Sequence, residues 1–314
     1  MRPIRDTQKE WNHAVSELLD QQDLGSRPNS IADRQRVKRI KKLLSRSRTG
    51  RKLLAWAKRN EVEIWLDHQI SDDYAGFVFS GTNTVILNAG CSNIFLATIL
   101  AHELMHVWQD HQNLLPVKFD NPSHFIISQR LCEASAYSVQ SQVIEELEQA
   151  HIRCRQKMID AYGGDGLLYF NSTAGHYDDI AAKTFRLYMG SNIQQNNDET
   201  YKNIILNSVF EKRAPFHKIS TFASSHLKYN FDKTRPVVKP KINLNWVLKY
   251  GKLPCGENIW IKNGAPTIKQ KDIWPYFIVT PTPLNPIIKS ALESRREQDK
   301  KSGKKPVIIL TPFQ

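Results

Sequence analysis

Apolar positions recur at helical spacing in the first part of the chain, switch to short strand-like runs, and then return to helices. Trp11, Val15, Leu18 and Leu19 fall on successive turns of a short amphipathic helix within residues 1–24, which Gly25-Ser26-Arg27-Pro28-Asn29-Ser30 breaks. Residues 31–48 predict a basic helix with a thin apolar stripe of Ile31, Val37, Ile40 and Leu44. Beyond Thr49-Gly50, Leu53, Leu54, Trp56 and Ala57 predict another helix over 51–59, running into a strand at 62–66. Ser71-Asp72-Asp73 reads as a turn. The β-rich runs 76–80 and 84–88, on either side of Gly81-Thr82-Asn83, read as a hairpin.

The longest apolar stretch, 94–101, belongs to a helix that Ser92 or Asn93 can cap and that stops before Pro116. A new helix is expected from Ser123 to near Tyr162, with a bend around Ala150 and an end at Gly163-Gly164-Asp165-Gly166. Further helices are expected at 176–189 and 199–210. Beyond Ala214 prolines cluster and the periodic segments shorten, but Trp246, Trp260, Trp274, Tyr276 and Phe277 argue for a packed irregular region over plain disorder. A basic linker (295–305) and a strand-like Val307-Ile308-Ile309-Leu310 follow. The organisation expected is a basic helical extension over 1–49, a catalytic-type domain over 50–213, and a Pro-rich accessory region and tail over 214–314.

Composition narrows this picture. No apolar run approaches the roughly 20 residues of a membrane span, and Met1-Arg2-Pro3-Ile4-Arg5-Asp6 lacks an apolar signal core. A soluble, cytoplasmic protein is the expectation; an effector exported by a specialised machine has the same appearance. Cys91, Cys132, Cys154 and Cys255 are far apart without a C-x-x-C pair, which reads as thiols in a reducing compartment. The net charge of +13 is unevenly spread: residues 27–59 hold 13 Lys/Arg against one Asp, and residues 60–150 hold 12 Asp/Glu against two Lys/Arg. The basic arm either folds back on the acidic core or binds an anionic partner such as nucleic acid.

The candidate chemistry lies inside the apolar helix. Ile99-Leu100-Ala101-His102-Glu103-Leu104-Met105-His106 reads H-E-x-x-H. One helical turn separates His102 from His106, so both imidazoles project from one face and can share a metal ion. Glu103 sits about 100° round the helix from His102, poorly placed as a ligand but able to reach a water at the metal. Catalytic zinc takes three protein ligands and keeps one position open. The next helix offers Cys132-Glu133-Ala134-Ser135-Ala136-Tyr137, in which small neighbours let the Glu133 carboxylate come close.

H-E-x-x-H followed on the next helix by E-A-x-A resembles the gluzincin-type zinc metallopeptidases. The details His102-Glu103-Leu104-x-His106-x-Trp108-Gln109 and Glu133-Ala134-x-Ala136-Tyr137 look most like a small, uncharacterised bacterial family of suspected metallopeptidases. The resemblance covers roughly residues 50–150. It implies one Zn²⁺ per chain on His102, His106 and Glu133, with Glu103 as general base and a protein or peptide as substrate. It also implies an α+β fold with a minimal zincin-like core: a helix, a small mostly antiparallel sheet, the H-E-x-x-H helix and the glutamate helix. In that fold the strand before the metal helix lines the cleft at a sheet edge, here Thr84, Val85, Ile86, Leu87 and Asn88, where a substrate peptide can add as a further strand.

Supporting roles are less defined. Asp110, one turn beyond His106, is a candidate to orient an imidazole. Tyr137, one turn beyond Glu133, stands where thermolysin-like gluzincins carry an aspartate, and either buttresses a histidine or packs. His176 and Tyr177 are candidates to stabilise an oxyanion. His111 falls nine residues after His102, one short of the third histidine in H-E-x-x-H-x-x-G-x-x-H. The competing functions are a nucleic-acid-associated binding or regulatory protein on a zincin scaffold, and a zinc-binding relative without activity.

Overall fold

A computed structural model of the 314-residue chain describes residues 29–70, 75–78, 83–114, 122–160, 180–189 and 243–273, with 191, 193–195, 197 and 301. The helices expected within 1–24 and 199–210 and the strand at 307–310 lie outside the described residues, as do His176 and Tyr177. The described residues form an α+β fold with a helical N-terminal part. They fall into two compact units, the first drawn from 1–114, 132–191 and 248–268, the second from 115–131, 192–247 and 269–314. No described helix is long and apolar enough to cross a membrane.

In the first unit, α1 (Ile31–Leu44) starts at a capping box: Asp33 N–H donates to Ser30 Oγ at 3.1 Å, and the Ser30 N–H donates back to the Asp33 carboxylate. Its stripe of Val37, Ile40 and Leu44 is buried, as the spacing predicts, whereas Ile31 stays exposed. α2 (Arg48–Arg59) follows after three residues. The elbow needs a glycine at position 50, because a Cβ there would run into the Leu44 carbonyl and side chain. The Glu146 carboxylate receives the α2 N-terminus, accepting from Ser47 Oγ at 2.6 Å, Thr49 N at 2.8 Å and Thr49 Oγ1 at 2.8 Å. A carboxylate there meets the free N–H groups of a helix start.

The sheet holds β1 (Glu63–Asp67), β2 (Gly76–Val78) and β3 (Thr84–Asn88) in the order β1-β3-β2. β2 and β3 form the expected antiparallel pair, with Phe77 opposite Ile86. β1 and β3 run parallel over five residues, from Glu63 opposite Thr84 to Asp67 opposite Asn88. The sheet is therefore mixed, with its longer pairing parallel, where a mostly antiparallel one was expected. Alternation of apolar residues reports which face is buried and not which way a neighbour runs. The same topology corrects the expected edge strand: Thr84, Val85, Ile86, Leu87 and Asn88 form the middle strand, flanked on both sides, and the outer positions belong to β1 and β2.

β3 leads into α3 (Asn93–His111), capped by Ser92, whose hydroxyl accepts from Phe95 N. This helix is buried almost all round from Phe95 to Met105, which is why its sequence is an apolar run and not an amphipathic pattern. It ends in a Schellman turn before Pro116 is reached: Asn113 takes φ 53°, Leu114 N donates to Gln109 O and Asn113 N to Asp110 O. α4 (Pro122–Gln149) closes the same way, with His151 at φ 61° and Ile152 N donating to Leu147 O. The bend expected near Ala150 is this helix end, and residues 155–160 are helical again.

α5 (Ile180–Tyr188) and the segment 248–268 complete the first unit. Ser138 on α4 donates to Ala181 O at 3.0 Å and accepts from Trp260 Nε1 at 3.3 Å, and Ser135 donates to Tyr250 O at 2.6 Å. Trp260 is fully buried, edge-on to Phe185 with ring centroids 5.0 Å apart. Trp108 Nε1 on α3 donates to Lys252 O at 2.8 Å. Small hairpin strands β4 (Ile261–Lys262) and β5 (Ala265–Pro266) end this segment. In the second unit, Asn243 caps α6 (Leu244–Leu248) by accepting from Trp246 N, and Lys269 N is bonded to Asp272 at the start of α7 (Gln270–Ile273).

Candidate metal centre

His102 and His106 face one another across a turn of α3, with Nε2 atoms 3.0 Å apart. The Glu133 carboxylate arrives from α4 and meets both: Oε2 is 3.4 Å from His102 Nε2, and Oε1 is 3.5 Å from His106 Nε2. These three side chains are the group among the described residues that could hold a metal ion. Tetrahedral ligands at about 2.0–2.1 Å from one zinc ion set neighbouring donor atoms roughly 3.3 Å apart. The three observed separations bracket that value, so the donor set fits one such ion.

The tautomer of His106 follows from its neighbours. Gln109 Nε2 donates to the Cys132 carbonyl at 2.9 Å, which turns Gln109 Oε1 toward His106 Nδ1, 2.8 Å away. An amide oxygen only accepts, so Nδ1 keeps its proton and Nε2, which faces Glu133 and His102, is the nitrogen that gives up a proton to bind a metal. Asp110 was the expected orienting group; the bond to His106 is made by Gln109, one residue earlier and fully buried. Position i+3 is a same-face neighbour on a helix, so the spacing alone could have nominated Gln109. Replacing Gln109 by Leu is expected to weaken zinc binding roughly 10–100-fold while the fold survives, as read by competition against a chromogenic chelator.

Tyr137 touches both a histidine and a neighbouring aromatic ring. Its ring lies edge-on to His102 at 4.5 Å between centroids and stacks on Tyr188 at 5.2 Å. His102 is thus held by an aromatic wall; its buried Nδ1 has no hydrogen-bond partner among the described residues. His111 lies away from the pair, bonded to Asn83 at 2.6 Å and edge-on to Trp56, and His68 pairs with Asp33.

Burial and mutual charge set the protonation states. Burial pushes the Glu133 carboxyl up, but the His106 charge and hydrogen bonds from both imidazoles hold it well below the usual carboxylate range. Burial pulls His106 down, and the charge and hydrogen bond of Glu133 more than reverse this, leaving it at about 9. A metal must displace that proton. Zinc affinity is therefore expected to rise with pH up to about 9 and flatten above it; titrations at stepped pH, corrected for the chelator's own protonation, measure this. The Glu103 carboxylate is buried and makes no hydrogen bond among the described residues. Burial raises its pKa, the two histidines pull it back, and Glu133 adds to the rise. Burial likewise keeps the Cys132 thiol well above its ordinary value, so Cys132 contributes a carbonyl to the site and not a thiolate.

Residues 19–158 match the model of a family described as "Putative metallopeptidase family (DUF6782)". The match takes in His102, Glu103, His106, Gln109 and Glu133. No curated protein and no solved structure matches the chain. The family match and the His-His-Glu cluster together support a metallopeptidase carrying a metal ion.

Proposed function

We propose that the chain is a zinc-dependent peptidase, holding one Zn²⁺ on His102, His106 and Glu133 and using Glu103 as general base. The observation that carries this reading is the convergence of two imidazole nitrogens and a carboxylate at 3.0, 3.4 and 3.5 Å, beside a buried carboxylate that is free of hydrogen bonds among the described residues. Zinc bound there supplies Lewis acidity, polarising the scissile carbonyl and lowering the pKa of a water to roughly 7.

The chain's own residues do the rest. Gln109 presents the His106 lone pair, and Tyr137 fixes the plane of His102. Glu103 takes a proton from the attacking water and passes it to the departing amine nitrogen, so the carboxylate returns to its starting state in each cycle. Its burial disfavours the charged form and so favours uptake of the water's proton.

The test joins metal content to turnover. Purified protein is expected to carry one zinc per chain and to cleave an unfolded protein substrate, with a chelator abolishing cleavage and added zinc restoring it. Zinc without cleavage of any member of a diverse peptide library would identify a relative without activity. Absence of bound zinc under conditions where the fold is intact would sink the reading.

A further inference from the structure

Part of the basic arm is spent on the fold. Arg36 donates from Nε to Asn93 Oδ1 at 2.8 Å, from Nη1 to Ala89 O at 2.6 Å, and from Nη2 to Cys91 O, tying α1 to the loop before the metal helix. Lys52 and Arg48 reach Glu257 at 2.5 and 3.5 Å. The remaining lysines have a different placement. Lys38, Lys41 and Lys42 share one face of α1 at helical spacing, and Lys58 faces them from α2. All four line one groove of about 640 Å³, and none has a hydrogen-bond or ion-pair partner among the described residues.

The groove floor is Leu54, Ala57 and Val62, and its single acid is the exposed Glu61. Lys41 is half-buried, and burial without a carboxylate to offset it pulls its pKa down. A charge held that way is stabilised by an anion arriving from outside. The reach of seven positions from Lys38 on α1 to Ser45, just past its last turn, is about 10 Å, the length of roughly three extended residues.

We propose that this groove docks an acidic stretch of polypeptide, with an apolar side chain on the floor between carboxylates that meet the lysines. The surface chemistry selects this occupant. A nucleic acid would find phosphate partners, but no lining residue is aromatic and no base has a stacking platform. A bilayer is flat and would bridge the lysine rim without filling the apolar floor. A peptide alternating Glu and Leu satisfies both rim and floor. The site is separate from the metal centre, and its test reads binding alone, so it stands or falls independently of the peptidase reading.

The probe is a fluorescein-labelled nonapeptide with a Glu-Leu-Glu core, titrated with full-length protein and followed by anisotropy, the peptide being checked as intact afterwards. Binding is expected at low salt and is expected to weaken at 0.5 M salt, as for exposed charges. The exposed pair Lys38→Glu/Lys42→Glu is expected to raise Kd about tenfold or more, while Arg34→Glu/Arg39→Glu, an equal charge change on exposed residues outside the groove, leaves it nearly unchanged. Replacing the central Leu of the peptide by Gly is expected to weaken binding as well. The proposal is overturned if both double variants lose binding equally, if the Leu→Gly peptide binds as well as the parent, or if Lys38→Glu/Lys42→Glu has no effect. It is also overturned if a single-stranded oligonucleotide or phosphatidylserine vesicles of matched charge bind more tightly than the peptide.

Discussion

Changing Glu103 to glutamine is expected to lower peptide hydrolysis by about 10²–10⁴-fold, the usual contribution of a general base, and to leave zinc content near one per chain. The side chain keeps its size and its buried position on α3, and no hydrogen bond among the described residues is lost. What disappears is the ability to accept a proton. Elemental analysis beside a turnover assay separates the possibilities. Loss of zinc in Glu103→Gln would make Glu103 a ligand, and unchanged turnover would remove it from the chemistry.

The second large effect is expected at Glu133. Truncation to alanine removes the acceptor that both imidazoles face, at 3.4 and 3.5 Å. Zinc affinity is expected to fall by more than the roughly 10–100-fold that loss of an outer hydrogen-bond partner costs, and activity to go with it. An independent signature comes from His106 in metal-free protein. Its pKa stands at about 9, with burial opposing and the Glu133 charge the leading upward influence. Without that carboxylate, burial dominates and the imidazole is expected to titrate well below 9 in an NMR pH series. Retained zinc with an unshifted His106 would show that α4 does not deliver the third ligand.

Much of this centre is legible in one dimension because it depends on local spacing. A step of four positions from His102 to His106 is one helical turn, and Ser92 followed by an apolar run marks the start of the helix that carries them. The hairpin pair β2 and β3 was equally visible, since alternation and a Gly-Asn turn are local signals. Glu133 was a reasoned guess: small neighbours permit a close approach of α4, but nothing in the spacing says at which face the carboxylate arrives.

What the amino-acid order determined by itself is therefore the pair of imidazoles, the carboxylate between them in sequence and the α+β sequence of elements. These follow from helical and strand periodicities that act over a few residues. Only the tertiary structure decided that β3 is the middle strand, parallel to β1, because pairing direction depends on how the chain returns from β2. It alone chose Gln109 over Asp110, because the choice turns on the Cys132 carbonyl, twenty-three residues away on another helix. It also sorted the basic arm, turning Arg36, Arg48 and Lys52 toward partners distant in sequence and leaving four lysines around a groove. A charge count cannot distinguish the two groups, since what separates them is which carbonyls and carboxylates folding brings within reach.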